Sequence, residues 1–362
     1  MKNSSDKIFI GTMSGTSHDG IDICALKIAN QISLLKFSSF KYPIKLREDI
    51  SKTIQQQKLT LNMYFELDKK IGIAFSKSID KFLIQNRINK NNVAAIGLSG
   101  QTLFHKPKGK FPFSIQAGNP RIIANDSEID VISDFRNDHI KLGGEGAPLV
   151  PEFHQKLFAK KNVPLAVLNI GGISNFTYLD GKHNFYGSDC GPGNALMDIY
   201  CQSFLNRPFD RGGEHAKKGV IHLPSLNQML SHPFFRRRHP KSTGKEIFNI
   251  RFIPKQLLRR SPYDILATLT ELTAICIARS LCSQKKFPHQ VIACGGGLRN
   301  IFLINSIERH INMSLISSND YGFDPQAIEA MAFGWMARQR LCKNPIVVKE
   351  NKGLIGTLTK PK

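Results

Sequence analysis

Short β-branched runs flank glycine clusters at two places far apart in the chain. "KIFI" (Lys7 to Ile10) and "IDICALKI" (Ile21 to Ile28) enclose "GTMSGTSHDGID" (Gly11 to Asp22), and "LAVLNIGGISNFTYLD" (Leu165 to Asp180) repeats the layout. An apolar strand enters and leaves each cluster, with no helix start behind it, so both read as tips of β-hairpins. Two glycine-tipped hairpins without a short-period repeat predict a duplicated domain rather than a solenoid.

Elsewhere the spacing is helical. Leu61, Phe65, Ile71, Phe75, Ile79 and Phe82 recur at helix-like spacings, predicting helix within residues 46–90. "YDILATLTELTAICIARSLCS" (263–283) predicts a long apolar helix feeding "QVIACGGGLRN", a strand that breaks into Gly295, Gly296 and Gly297. "DPQAIEAMAFGWMARQRL" predicts a helix starting at Pro325 and carrying Glu329 among small apolar residues, where a carboxylate needs a partner. "GSDCGPGNALMDIYCQSFL" places Pro192 at the first turn of a helix with Ala195, Leu196, Ile199 and Phe204 on its apolar face and Asp189 just before it. Between these, "VAAIGLSGQTLFHKP" reads as a strand ending in "GLSGQT".

The chain has 362 residues, 41% apolar and 22% charged, enough for two domains with buried cores. No 18-residue apolar run or N-terminal signal core is evident, so neither a membrane span nor export is expected. Seven cysteines without a CxxC pair read as free thiols of a reducing compartment. The charge changes the picture most. Fifty basic and 28 acidic residues leave +22, which suggests nucleic acid. The basic residues are spread along the chain, however, and the densest cluster, "RRRHPK" (Arg236 to Lys241), has no interleaved aromatics for base stacking. A positive field that attracts anionic small molecules fits better.

The candidate chemistry lies in the loops. Neither GxxxxGK[ST] nor GxGxxG opens a helix here, but backbone N–H groups at a Gly/Ser/Thr hairpin tip can form an anion-binding nest; the bland alternative is an ordinary turn. Asp189 beside the second hairpin is the best candidate for a general base, with a helix cap as its alternative. Asp198 could face a cleft or solvent. "ISDFRNDHIKLGGEGAPLVP" (Ile132 to Pro151) crowds Asp134, Arg136, Asp138 and Glu145 among glycines, either as a cleft lining or domain crossover or as a solvated loop with a local Asp–Arg pair.

Eight stretches taken in order, "GTMSGTSHDGID", "GQT", "DFRNDHIKLGGEGAPLVP", "NIGGISN", "DCGPGNALMD", "HPKSTGKEIFN", "GGGLRN" and "EAMAFGW", resemble the anhydro-N-acetylmuramic acid kinases from residue 8 to about residue 340. The resemblance implies an α/β fold of two RNase H-like (actin/hexokinase-type) domains with an interdomain ATP cleft, and a homodimer in the bacterial cytoplasm. It implies residues 1–135 plus about 340–362 as the first domain, with the first phosphate loop and part of the sugar site. Residues 136–339 would then form the second, with the second phosphate loop, the catalytic Asp and the adenosine site. The implied reaction turns 1,6-anhydro-N-acetylmuramate, ATP and water into N-acetylmuramate 6-phosphate and ADP in peptidoglycan recycling.

Residue by residue, the resemblance makes Asp189 the catalytic base. ATP would lie on Gly15, Thr16, Ser17, His18, Asp19, Gly20, Ile21 and Asp22, with Gly171 and Gly172 closing on the phosphates and Gly295, Gly296 and Gly297 receiving the adenosine. Asp19 or Asp22 would stand near Mg²⁺ through water, and Thr102, Arg136 and Glu329 would meet the sugar, Arg136 alternatively forming a domain-bridging pair. The chain departs from the family pattern at Ser99, where His is frequent before "GQT", and at Asn119, where the family's "LQIGD" has Asp. Another sugar or polyol kinase of the same superfamily, and a non-catalytic sensor on the same scaffold, are the competing readings.

Overall fold

In the computed structural model, which describes residues 7–15, 18, 20–56, 58–244 and 246–362, the N-terminal β-branched runs form an antiparallel meander. Its strands are β1 (Ile8–Ser14), β2 (Gly20–Ile28) and β3 (Ile32–Lys41). Met13 pairs with Asp22 and Ile8 with Lys27, so the glycine loop is the turn of the first hairpin, as the pattern predicts. β4 (Val93–Lys106) runs parallel to β1, and β5 (Phe113–Ala117) folds back antiparallel on its far half. β6 (Val131–Ser133) is parallel to β4, and the last strand, Thr357–Thr359, closes the edge against β6.

The parallel step from the meander to β4 needs a crossover. It is supplied by helices Ile44–Gln56 and Leu61–Gln85, whose Ile50, Ile71, Phe75, Ile79 and Phe82 are buried with Ile10, Ile23 and Ile96. Thr60 caps the longer helix by accepting from the Met63 amide, 3.2 Å. Leu61 and Phe65 are exposed, against expectation: they lie on its first two turns, ahead of the stretch that packs in the core.

The second sheet repeats the plan. β7 (Leu165–Ile170), β8 (Ile173–Leu179) and β9 (Phe185–Pro192) form a meander, and β10 (Gln290–Cys294) and β11 (Ile316–Ser317) add in parallel beside β7. In each sheet the first strand is central: the first sheet runs β3, β2, β1, β4, β6 and the last strand, with β5 beside β4, and the second runs β9, β8, β7, β10, β11. This is the RNase H-like order, present twice, as the paired hairpins predict. Helix Pro262–Cys282 is long and apolar enough to cross a membrane by length and composition, which the run count above overlooks. Its Leu266, Leu269, Leu272, Ile277 and Leu281 lie inside the core of this unit, where a helix apolar on all sides belongs.

Residues 1–153 and 327–362 form one compact unit and residues 154–326 the other. Residues 136–153 and 327–339, which the sequence reading gives to the second domain, therefore belong to the first. The reason is close packing of helix Ile328–Leu341 on β1 and β4. A Cβ at Gly11 would stand 1.9 Å from Ala330 O, and one at Gly97 2.1 Å from Phe333 O. Only glycine lets backbones approach this closely.

Three smaller expectations change. β4 does not end at "GLSGQT" but continues to Lys106, with Gly100 at φ +63°. Pro192 is the last residue of β9 rather than the start of a helix; the amides of Gly193, Asn194 and Ala195 bond to Gly172 and Gly171 carbonyls, and the helix begins at Ala195. Phe204, at the end of that helix, is 56% exposed.

Candidate active site

In the first unit the chemistry gathers around the β1–β2 turn. Ser14, buried at its base, has its Oγ 2.7 Å from Gln101 Oε1, 3.0 Å from Gly20 O and 3.0 Å from Tyr42 Oη. Gln101 Nε2 also reaches Gly15 O at 3.5 Å. The loop is thereby tied to the "GQT" segment. Its inner positions are held by a His18 amide bond to Gly15 O, 3.2 Å, with His18 at φ +49°. Thr16, Ser17 and Asp19 lie outside the described residues. Ile21 is buried in the core, and Asp22 accepts from the Ser39 hydroxyl on β3.

Asp22 acts electrostatically on Glu329, and so does Arg136. Burial pushes the Glu329 carboxyl above its usual range, Arg136 opposes this, and Asp22 adds to it. The Arg136 guanidinium donates from Nη1 to Gly146 O at 2.9 Å, while its buried Nε has no acceptor among the described residues. An unused buried donor on a cation is costly unless a ligand takes it. Two histidines face the same cation. Burial, with Arg136 beside them, holds His105 and His139 down to about 4, so both are neutral at physiological pH.

The local Asp–Arg pair considered for "DFR" is not formed. Asp134, at φ +59°, accepts instead from Asn137 Nδ2 at 2.6 Å. Thr102 donates to Gln116 Oε1, 2.9 Å, which connects through Ser114 to His105. Arg136, Glu329, Thr102 and the described part of the loop thus belong to one polar network in one unit.

In the second unit β7 and β10 are neighbouring parallel strands, with Asn169 opposite Cys294. Gly171 and Gly172 leave one, and Gly295 to Gly297 leave the other. At Gly295, φ is +89° and a Cβ would stand 2.4 Å from Asn169 Oδ1, so the turn requires glycine. Gly296 has nothing within 4 Å of a Cβ, an open backbone approach at the end of a parallel strand. Ligands bind in α/β sheets at such strand ends.

Asp189 sits on β9 opposite Asn175, next to a bulge at Cys190 of the same strand. Its amide donates to Lys241 O at 2.9 Å, and its Oδ2 accepts from the Thr243 amide at 2.8 Å. The carboxylate is therefore fixed by backbone and is not a helix cap. Asp198 sits in the first turn of helix Ala195–Phe204, half-buried.

Sequence reasoning passed over Gln101, Ser14, Ser188 and Lys241, although "GQT" and "HPKSTGKEIFN" both stood out. Of the two departures from the family pattern, Ser99 Oγ takes the Ser14 amide at 3.1 Å. Asn119 caps helix Pro120–Ser127 and donates Nδ2 to Asp68 at 2.8 Å, a position where a carboxylate would face another carboxylate.

Among the described residues no group of three His, Cys, Asp or Glu could hold a metal ion. Mg²⁺ keeps most of its water and arrives with nucleotide phosphates, so it calls for no such cluster.

A meander tipped by glycines with two parallel strands beside it, built twice in one chain, is the ground plan of ATP-dependent kinases of the actin and hexokinase type. The anhydro-N-acetylmuramic acid kinase family model matches residues 7–357. The anhydro-N-acetylmuramic acid kinase of Gamma-proteobacterium EBAC31A08 is 44% identical over 99% of this chain and 100% of its own. That of Pasteurella multocida (strain Pm70) is 38% identical over 92% and 90%, and that of Hydrogenovibrio crunogenus 38% over 98% and 96%. The chain belongs to the anhydro-N-acetylmuramic acid kinase family. Among solved structures, the activator of the 2-hydroxyisocaproyl-CoA dehydratase from Clostridium difficile with bound ADPNP aligns with a TM-score of 0.49 at 12% identity, covering 94% of this chain and 99% of that one.

Proposed function

We propose that this chain uses ATP and water to convert 1,6-anhydro-N-acetylmuramate into N-acetylmuramate 6-phosphate in peptidoglycan recycling. The observation that carries the reading is the family match over residues 7–357. Asp189 is the general base: it takes a proton from the water that attacks the anomeric carbon as the 1,6-bridge opens. The freed O6 then accepts the γ-phosphoryl group, so one carboxylate serves both halves of the reaction. Its support is the Thr243 amide on Oδ2, which fixes the carboxylate as a base must be fixed.

Phosphoryl transfer asks mainly for positioning and charge neutralisation. The loop Gly15 to Asp22 and the turn at Gly171 and Gly172 take the phosphates, and Gly295 to Gly297 take the adenosine, where Gly296 has the room. When bound, Mg²⁺ neutralises phosphate charge, with Asp22 and Asp19 as its contacts through water. On the sugar side, the unused Nε of Arg136 is a donor for the lactyl carboxylate, and Glu329 and Thr102 are partners for hydroxyls. The buried thiols Cys24, Cys190, Cys201, Cys276 and Cys294 suit a reducing cytoplasm, and a homodimer is part of the same reading.

The test is ADP release with Mg²⁺-ATP and a panel of 1,6-anhydro-N-acetylmuramate, N-acetylmuramate, N-acetylglucosamine and glycerol, run in ¹⁸O-water. Turnover with the anhydro sugar alone, with label at C1, is expected; turnover with another acceptor would move the chain to a sister kinase. Asp189→Asn should abolish turnover while nucleotide still binds by calorimetry. Activity within tenfold of wild type would remove Asp189 from the role of base.

A further inference from the structure

The segment "HPKST" (His239 to Thr243) belongs to a stretch that stands out in the sequence, yet beyond the Thr243 amide it has no part in the chemistry above. It runs along β9 beside Asp189 and bonds to two consecutive residues of that strand. Ser188 Oγ lies 2.9 Å from the Lys241 amide, 3.2 Å from Lys241 O and 2.6 Å from His239 Nδ1. The Asp189 amide donates to Lys241 O, and the Thr243 amide donates to the Asp189 carboxylate.

Lys241 itself is 6% exposed. Its ammonium lies 4.6 Å from the Phe234 ring centroid and makes a long bond, 3.4 Å, to Phe234 O. An ammonium buried with so little hydrogen bonding is expensive, and an apolar side chain would fill the same space more stably. Burial accordingly pulls the Lys241 ammonium below its ordinary range. The groups that face it are Cys190 on β9, Cys276 on helix Pro262–Cys282, Arg237 just ahead of the segment, and Asp189. Burial pushes the Cys190 thiol up to about 12 and the Cys276 thiol higher still, so neither supplies negative charge at neutral pH. His239, held down to about 4 by burial and by Lys241, is neutral. Asp189 is the carboxylate among these groups, and its attraction favours the charged ammonium.

We propose that His239–Thr243 is a strap that positions Asp189, and that Lys241 within it is a positioning residue whose buried ammonium keeps the Asp189 carboxylate ionised. This rests on the reading of Asp189 as the base. The strap and the charge have separate consequences. Ser188 and the backbone of the strap set where the carboxylate stands, whereas Lys241 sets the pH at which it gains a proton. An opposite charge nearby typically lowers a carboxyl by about 1–3 pH units.

The experiment compares pH profiles of kcat/KM for wild type, Lys241→Met, Lys241→Arg and Ser188→Ala, each checked for folding by circular dichroism and Tm. Lys241→Met should move the acid limb up by about one pH unit or more, Lys241→Arg should return it toward wild type, and Ser188→Ala should lower kcat without moving the limb. A Lys241→Met limb that coincides with wild type overturns the proposal. If Lys241→Met does not fold, Ser188→Ala decides: kcat and KM unchanged from wild type would show that the strap positions nothing. Asp189→Asn is run alongside. If it retains turnover, the reading of Asp189 itself has failed. If it is inactive while the limb stays put, only the role of Lys241 has failed.

Discussion

Arg136 shows how residue-scale chemistry depends on neighbours that sequence spacing does not reveal. "DFRNDH" invites a pairing of Asp134 with Arg136 two residues on. A helix begins at Phe135, however, and residues two apart on a helix do not face each other. Asp134 turns to Asn137, and Arg136 is left with Gly146 O, two neutral histidines and the field of Glu329. Arg136→Met should therefore raise KM for the anhydro sugar by about tenfold or more, the weight of one lost charge-assisted hydrogen bond. KM for ATP should stay near wild type. Steady-state kinetics with each substrate varied in turn checks this, and an equal rise in both would place Arg136 outside the sugar site. Asn119 is legible in the opposite sense. Its departure from the family pattern is visible in sequence, but its reason, the Asp68 carboxylate 51 positions earlier, is a contact that only the fold creates.

At the scale of elements, strands and hairpins were the most readable part. β-branched runs around glycines carry a period-two signal and a turn signal together, so both hairpins were predictable. The domain boundary was not, because it depends on which sheet the helix Ile328–Leu341 packs against. The deciding feature is a pair of glycines, Gly11 and Gly97, whose missing side chains admit that helix. In sequence, Gly11 reads as part of the loop and Gly97 as part of a strand end. Gly11→Ala should cost about 1–3 kcal/mol, the usual range for overpacking a core, seen as a lower urea midpoint. Because the helix carries Glu329, sugar KM should rise as well. A stable variant with unchanged kinetics would mean that the helix is seated by other contacts. Pro192 failed as a helix start for a related reason. Its strand pairs with Ile173, and tertiary pairing overrides the local preference of proline for a first turn.

Over the whole molecule, acid is the condition to which the fold is most exposed. Burial holds His105, His139 and His239 down to about 4 and His154, bonded to Thr177 Oγ1 at 2.8 Å, down to about 3. In the unfolded chain such imidazoles take up protons below about pH 6.5. The folded state binds fewer protons over that window. Stability from these groups is therefore fully present above pH 6.5 and lost as pH falls toward 4, or toward 3 for His154. Calorimetry between pH 7 and 4 should show Tm falling steadily, and His154→Gln should flatten part of the slope. A Tm that is level across this range would mean that the imidazoles are hydrated and free to protonate in the fold.

The order in which the two units appear along the chain bears on how the protein is made. A ribosome completes β1 to β6 early, but the helix that covers β1 and β4, and the strand that closes the edge at β6, lie beyond residue 326. The inserted unit, being continuous, can collapse as soon as it emerges, whereas the first must wait with an apolar sheet face and an unpaired edge in the open. Such surfaces are what chaperones shield, and what aggregates when synthesis outpaces them. At a net charge of +22, like-charged nascent chains repel one another during that interval.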